Sequence, residues 1–255
     1  MRNVKLVLQY DGAAYHGWQR QPNAVTIQEL IEDRIGTMTG ERPAVIAASR
    51  TDAGVHALGQ VASFRTLSSL SPAVFVRALN AMLPPDIRIT DACDESEDFH
   101  PRFRAQRKSY FYLVSLSRNV SPFLQRYVWG VPHAIDVSAM GRALTQLRGR
   151  HDFSSFRASG CNSRSPLRTI YRAEMEELGG IDFMTARLPG KFIKITVEAD
   201  AFLRHMVRNV VGTLIDIGRG ERPPEEMEAI LKACDRRTAG PTAPARGLFL
   251  EKIDY

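Results

Sequence analysis

Residues Ser49–Val61 read SRTDAGVHALGQV, a short polar stretch that separates two apolar runs. If the backbone is extended here, Arg50 and Asp52 share a face, because side chains two residues apart in an extended chain project to the same side. A nearby guanidinium favours the ionised form of an enclosed carboxylate, and a carboxylate nucleophile must be deprotonated. Gly54 and Gly59 allow positive φ around the loop. The stretch predicts an active-site loop, with a surface turn and a weak ion pair as the alternative.

The composition is that of an ordinary globular protein, with 255 residues, 44% apolar and 24% charged. This length suffices for one large domain or two small ones. Lys and Arg number 34 against 28 for Asp and Glu, which gives a formal charge of +6. A positive balance of this size favours a polyanionic partner.

Two long windows contain no acidic residue, Phe99–Ile135 and Phe153–Ala173. Aromatic residues are interleaved with the arginines of the second window, a mixture that suits phosphates and exposed bases. The two windows therefore predict nucleic-acid binding, with solvated strand faces as the alternative. Their basic residues are Arg102, Arg104, Arg107, Lys108, Arg118, Arg126, Arg157, Arg164, Arg168 and Arg172.

Cysteine and histidine usage argues against disulfides and metal sites. The three cysteines are far apart and form no Cys-x-x-Cys pair, and the six histidines are scattered without metal-binding spacing. We therefore expect no metal and a reducing, cytoplasmic location. We also expect no membrane association, because there is no signal-peptide pattern and no apolar run near the roughly 20 residues of a membrane span.

Strands and helices come in mixed groups along the whole chain, which predicts an α+β protein of two similar α/β lobes that share a mainly antiparallel central sheet. A connector rich in proline and glycine, Ser115–His133, is the expected boundary between them. The predicted domains are 1–115, an N-terminal lobe with the Asp52 loop, and 116–255, a C-terminal lobe that completes the active site.

Capping patterns predict where three helices begin. Thr26 with Glu29 has the spacing of a capping box, Ser71 precedes a proline that can open a helix, and Asp136 can cap the next helix.

The second half of the chain predicts strands near Thr169–Glu176 and Lys191–Val197, with turns at Gly179–Gly180 and Pro189–Gly190. Apolar residues at helical spacing then predict a long helix over Leu203–Ile217. On that helix Arg204 and Arg208 would share one flank, since they are four residues apart.

Common catalytic motifs are absent: there is no Gly-x-Ser-x-Gly, no complete phosphate-binding loop, no Gly-x-Gly-x-x-Gly and no zinc-deaminase signature. What remains is a carboxylate in a glycine-flanked loop, aromatic residues near arginines, and a basic surface. These parts fit a reaction on a nucleotide that needs one nucleophile and no cofactor.

Further segments accompany the Asp52 loop along nearly the whole chain. They are QYDGAAYHGWQRQ at Gln9–Gln21, RKSYFY at Arg107–Tyr112, HDFSSFR at His151–Arg157, DAFLRHMVRN at Asp200–Asn209 and GLFL at Gly247–Leu250. In order and spacing these segments resemble the TruA family of transfer-RNA pseudouridine synthases.

The resemblance implies a pseudouridine synthase fold with a central basic cleft. It also implies the isomerisation of uridine to pseudouridine at positions 38–40, in the anticodon arm of tRNA, by a homodimer without cofactor. Asp52 would be the nucleophile, attacking the sugar or the base or assisting departure of the base.

The same resemblance implies a set of substrate-binding residues. Tyr110 would stack on the base and accept a proton, Arg208 would pair with Asp52, and Arg50 would help to place the flipped nucleotide. A side chain near His56 would fill the vacated space, and the apolar pocket walls would be Phe202 and Leu248. A plain core position is the alternative for Tyr110, Phe202 and Leu248.

Two other functions fit parts of the sequence. A non-catalytic RNA-binding module would explain the basic windows but has no need of Asp52. A carboxylate-dependent nucleoside hydrolase would release free base and usually needs a second carboxylate. The sequence offers no obvious one: Asp11 is the nearest candidate by motif, and Asp152, beside Phe153, is expected to have a turn or cap role.

Overall fold

Helices and strands are mixed throughout, and the prediction of an α+β protein with a mainly antiparallel sheet is confirmed. The computed structural model describes residues 1–161 and 163–255. No helix in these two ranges is long and apolar enough to cross a membrane. The helices are α1 Ile27–Thr39, α2 Pro72–Met82, α3 Val137–Thr145, α4 Met206–Gly218 and α5 Glu226–Ala233. The strands are β1 Arg2–Tyr10, β2 Ile46–Ala47, β3 His56–Thr66, β4 Ile87–Glu95, β5 Arg107–Ser115, β6 Trp129–Gly130, β7 Gly149–Asp152, β8 Leu167–Phe183, β9 Ala186–Ala199 and β10 Leu248–Asp254.

The chain divides into two compact units. The first consists of Met1–Gln106 with Phe249–Tyr255, and the second of Arg107–Leu248. The last strand therefore returns to the unit in which the chain begins. The domain limits predicted from the sequence, 1–115 and 116–255, stay a prediction.

The first unit is built on strands in the order β4, β1, β3, β10, with β2 paired to β3. Pairing is antiparallel except between β3 and β10, which run parallel. Alternate residues of β1 are buried, as expected for a strand with one face on a core. The apolar stripe of α1 is buried with helical spacing at Ile27, Ile31 and Ile35.

The second unit is built on strands in the order β5, β9, β8, β7, with β6 paired to β5. A long hairpin of β8 and β9 dominates it, and the turns predicted at Gly179–Gly180 and Pro189–Gly190 are wrong. Gly180 pairs with Pro189 inside the hairpin, at a bulge, and the chain reverses at Met184 and Thr185. Glycine is common in turns and also at bulges within strands, so these residues are compatible with either structure.

All three helices begin where the sequence predicts, but two of the predicted side-chain caps do not form. The Thr26 side chain makes no capping hydrogen bond to α1, and its buried hydroxyl has no partner in the part of the chain that the structure describes. Glu29 faces outward, with its carboxylate 3.4 Å from the Arg20 guanidinium, so the reciprocal bond of a capping box does not form.

The starts of α2 and α3 are correct as well. Pro72 occupies the first turn of α2, although the Ser71 side chain makes no capping bond. The Asp136 carboxylate caps α3 by accepting a hydrogen bond from the Ala139 amide at 2.9 Å.

The long helix of the second half begins three residues later than predicted. His205 has a left-handed backbone with φ of 61°, and α4 starts after it. Arg204 therefore lies outside the helix and does not share a flank with Arg208. Its guanidinium donates to the carbonyl of Ser159 at 3.1 Å.

We expect Gly212→Ala to lower the free energy of unfolding by about 1–3 kcal/mol, as overpacking does. Gly212 lies in α4, and a β carbon on it would overlap the carbonyl oxygen of Pro241. Thermal unfolding checks this, with roughly 2–4 °C lost per kcal/mol for a chain of this size. Gly179→Ala, which would place its methyl group in open space, is the matched control. Equal melting temperatures for the two variants would contradict the close approach.

Candidate active site

The polar loop between β2 and β3 alternates in burial. Thr51 is buried, whereas Arg50 is exposed and Asp52 is half-buried. The side chains of Arg50 and Asp52 thus lie on the outer side of the loop, in agreement with the extended-chain argument. Gly54 has a φ of +76°, as predicted, but the prediction for Gly59 is wrong. Gly59 lies in β3 without a positive φ, and a β carbon there would come within 2.7 Å of the carbonyl of Glu251.

Buried hydrogen bonds hold this loop from the side of the core. The hydroxyls of Tyr10 and Thr51 lie 2.8 Å apart. The amide nitrogen of Gln60 donates to the Tyr10 hydroxyl at 3.2 Å and to the Ser49 carbonyl at 2.7 Å, and its oxygen accepts from the Ser49 amide at 3.2 Å. Gln60 is completely buried. The backbone on the N-terminal side of Asp52 is therefore fixed to β1 and β3.

Burial also sets the charge state of Tyr10. It raises the pKa of the phenol to about 12, although the hydrogen bonds from Thr51 and Gln60 act in the opposite direction. The hydroxyl therefore stays protonated throughout the neutral range and can both donate and accept within the network.

The predicted site residue His56 faces the interior of the first unit. It is 1% exposed, and its ring stacks on Phe249 with centroids 4.7 Å apart. Its Nδ1 lies 3.0 Å from a carboxylate oxygen of Asp11 and 3.1 Å from the amide of Gly12. To touch an RNA, the imidazole would have to leave this stack and these polar neighbours.

Two of the predicted site residues of the second unit come together. Tyr110 on β5 is 5% exposed, and Phe202 meets it edge-on with ring centroids 5.0 Å apart. Leu248, at the start of β10, is also buried. The pair of rings gives this unit an aromatic corner beside the entrance to α4.

Arg208 is held by a two-way contact with a distant segment. Its Nε donates to the carbonyl of Ala243 at 2.8 Å, and its own carbonyl accepts from the amide of Ala243 at 3.1 Å. Both the side chain and the backbone of Arg208 thus depend on the position of Ala243. The predicted pairing of Arg208 with Asp52 stays a prediction.

The segment before β10 is itself tied to α4 by side chains. The hydroxyl of Thr242 donates to the side-chain oxygen of Asn209 at 2.6 Å, and the Arg236 guanidinium donates to both. Asn209 is completely buried, and its amide nitrogen donates to the carbonyl of Phe156 at 2.8 Å. This cluster of Asn209, Thr242 and Arg236 positions Ala243 against Arg208.

Sequence reasoning assigned no role to Tyr10, Gln60, Asn209 or Thr242. A signal was present for two of them, because Gln60 and Asn209 are amides inside apolar runs. Buried amides need several hydrogen bonds, so such a position indicates a network. The partners that complete the network could not be read from the pattern.

The basic windows are used partly for folding. Arg157 donates to the carbonyl of Ser163 at 3.0 Å, and Arg168 donates to that of Ser165 at 3.0 Å. Arg107 pairs with Glu198 at 3.2 Å. Exposed arginines without an ion pair among the described residues include Arg102, Arg118 and Arg164.

Among the described residues, no three His, Cys, Asp or Glu side chains lie close enough together to hold a metal ion.

We expect Tyr10→Phe to destabilise the first unit, because Thr51 and Gln60 each lose a buried hydrogen-bond partner. The free energy of unfolding at neutral pH should fall by about 1–3 kcal/mol. The wild type should also lose stability as pH rises from 10 to 12, since the unfolded phenol, with its pKa near 10, ionises before the folded one. Urea unfolding across this range measures both effects.

The Tyr10→Phe variant should lose less stability than the wild type between pH 10 and 12, because it lacks the buried phenol. Tyr171→Phe, at a tyrosine that is 45% exposed, is the control and should match the wild type in both measurements. Identical alkaline slopes for the wild type and Tyr10→Phe would contradict the buried neutral phenol.

The sequence matches a family of known proteins along most of its length. A family model described as tRNA pseudouridine synthase covers residues 6–104 and 143–255. A protein of Acetivibrio thermocellus named tRNA pseudouridine synthase A is 44% identical, and all of both chains is covered. Proteins of the same name are 43% identical in Thermoanaerobacter sp. strain X514, with all of both chains covered, and 42% identical in Myxococcus xanthus, with all of this chain and 92% of the relative covered. The chain belongs to the tRNA pseudouridine synthase family.

Proposed function

We propose that this protein isomerises uridine to pseudouridine in tRNA, with Asp52 as the catalytic residue. The observation that carries the proposal is the setting of Asp52 in a member of this family. The half-buried Asp52 follows Thr51, whose hydroxyl is anchored on the buried Tyr10, so its side chain lies towards the outer side of the loop while its backbone is held. Pre-positioned groups of this kind are what catalysis requires.

The chemistry needs few participants. The bond between N1 of uracil and C1′ of ribose breaks, and a bond between C5 and C1′ of the same nucleotide forms. The hydrogen of C5 leaves as a proton, and N1 ends with a hydrogen, so atoms and charge balance without an oxidant or an energy source. A carboxylate that attacks the sugar or the base, or that assists departure of the base, is a sufficient catalyst.

The other residues have supporting roles in this proposal. Arg50, exposed on the same side of the loop as Asp52, would hold the extruded nucleotide, with a side chain near His56 filling the gap in the RNA. Tyr110 would stack on the base and accept the proton, its ring already steadied by Phe202. Leu248 would complete the apolar wall that excludes water from the detached base. Arg208 would keep Asp52 ionised as an adjacent positive charge.

The finer features are also proposals. They are modification at positions 38–40 of the anticodon arm, a central basic cleft, a homodimer, the absence of a cofactor and a cytoplasmic location. Arg102, Arg118 and Arg164 are exposed and form no ion pair with the residues that the structure describes. They support a polyanionic substrate, because such groups attract phosphates.

The decisive test is tritium release from tRNA that carries tritium at C5 of uracil. We expect release by the wild type and a loss of at least about a thousandfold in Asp52→Asn, because an amide cannot replace a carboxylate nucleophile. Asp33→Asn, at an exposed aspartate of α1, is the matched control and should keep full activity. tRNA affinity should be retained in both variants.

The two alternative functions give different results in the same assay. A nucleoside hydrolase would release free uracil, which chromatography of the products would detect. An RNA-binding module would bind tRNA without releasing tritium from any transcript, and that outcome would overturn the proposal.

A second test concerns the cluster that positions Ala243. Thr242→Val removes the hydroxyl that bonds to Asn209, so Ala243 and the Arg208 guanidinium should shift. We expect kcat to fall by about 10- to 100-fold, as small misplacements near a reacting group do, with little change in KM for tRNA. Thr242→Ser keeps the hydroxyl and should restore kcat.

Asn80→Ala, in the first unit, is the control for simple loss of stability. Its side-chain nitrogen donates to the carbonyl of Ile89 at 2.8 Å, and its side-chain oxygen accepts from the amide of Ile89 at 2.8 Å. This variant should lower the melting temperature and leave kcat unchanged. A Thr242→Val enzyme with wild-type kcat would contradict the positioning role.

A further inference from the structure

A cavity of about 240 Å³ lies in the second unit, between the connector that follows β5 and the segment before β10. Its volume is below the roughly 300–1,000 Å³ of pockets for drug-sized ligands, so it suits a smaller group. The lining residues are Arg118, Val120, Gln125, Val128, Gly130 and Arg246.

The charged part of the lining is positive. Arg118 and Arg246 are both exposed, and within the described residues neither guanidinium forms an ion pair. Arg118 belongs to the window Phe99–Ile135, which has no acidic residue of its own. Two guanidiniums without carboxylates at one cavity favour an anion, and their planar donors match phosphate oxygens.

The rest of the lining consists of two valines, a glycine and the amide of Gln125. Val128 is 1% exposed in a cluster with Leu124 and Phe192, and Val120 packs against that cluster, so this wall is firmly supported. A β carbon on Gly130 would lie 3.1 Å from Val120, so glycine keeps the space open. The exposed Gln125 side chain makes no hydrogen bond to the described residues, which leaves a donor and an acceptor for a ligand.

The cavity is connected to the candidate site through Tyr112. This buried side chain meets Trp129 edge-on, with centroids 6.3 Å apart, and Trp129 precedes Gly130. The Tyr112 hydroxyl donates to the carbonyl of Pro244 at 2.7 Å, in the segment that carries Arg246 and also Ala243, whose carbonyl accepts from Arg208. Tyr112 also follows Tyr110 by two residues on β5.

We propose that this cavity binds one nucleotide of the RNA substrate, other than the uridine that reacts. Arg118 and Arg246 bind its phosphates, the base lies against Val120, and the Gln125 amide contacts the edge of the base. This inference rests on the proposed function and adds a second contact point for the same RNA. A positive rim with an apolar floor fits a nucleotide better than it fits a bare anion or an apolar ligand.

The test measures tRNA binding by the full-length protein as a function of salt. Arg118→Gln should bind tRNA several-fold more weakly, and the slope of log K against log salt should fall by roughly one, as expected for the loss of one phosphate contact. Arg142→Gln, at an exposed arginine of α3 without an ion pair among the described residues, should alter neither affinity nor slope. Equal effects of the two substitutions would overturn the proposal.

Gln125→Ala separates recognition of the base from general charge. It should weaken binding at an unchanged salt slope, because no charge is lost. Hydroxyl-radical footprinting should show one nucleotide, apart from the modified uridine, that the wild type protects and that Arg118→Gln and Gln125→Ala expose. Footprints that are identical in all three proteins would overturn the proposal.

Competition by free 5′-mononucleotides tests whether the cavity binds a nucleotide of the RNA or a small molecule. They should compete with tRNA for the wild type only weakly, since a single nucleotide lacks the rest of the RNA. Tight binding of a free nucleotide that leaves the tRNA footprint unchanged would instead assign the cavity to a small molecule and overturn the RNA contact. A wild type that shows the expected footprint but releases no tritium would refute the proposed function while leaving the cavity assignment intact.

Discussion

The buried contact of Tyr10 with Thr51 and Gln60 is the constraint on which the candidate catalytic loop depends. Polar groups removed from water must find partners, so the loop can bury Thr51 only where Tyr10 and Gln60 meet it. The pairing of β1 with β3 brings them there: Leu8 lies opposite Gln60, and a register shift between Leu8 and Tyr10 turns the phenol towards the loop. A slip of one residue would send Gln60 to the other face of the sheet and leave the network without its amide.

In the second unit a buried amide on a helix also needs hydrogen-bond partners. Asn209 is completely buried in α4, and its side chain bonds to Thr242, Arg236 and the carbonyl of Phe156. The partners come from a segment that crosses α4 so closely that Gly212 has no room for a β carbon. Arg208 directly precedes Asn209, and its position is thereby fixed by Ala243, which lies outside α4. In both units a buried amide beside the site couples the position of a charged residue to the packing of the core.

The sequence predicted what depends on local chemistry. The cap at Asp136, the proline that opens α2, the alternation of β1 and the polar loop around Asp52 all follow from neighbours within a few residues. Contacts between distant segments could not be predicted from such patterns. Thr26 has the sequence spacing of a capping box, but its side chain is buried in the core. Gly179–Gly180 lies at a bulge of the β8–β9 hairpin and not in a turn, because both strands continue past it. The aromatic pair of the candidate site joins residues that only the folded chain brings together.

The arginines show most clearly why composition alone misleads. A count over the two acid-free windows treats every guanidinium as available to a phosphate, yet Arg157 and Arg168 are engaged with backbone carbonyls of their own loop. These hydrogen bonds tie the guanidiniums to the backbone of the loop, so these two charges contribute to folding first. The net charge of +6 acts at long range and attracts RNA, but it does not fix the orientation of the bound RNA. Positioning then falls to the few arginines whose donors remain uncommitted, and the cavity beside Arg118 is where two of them meet an apolar surface.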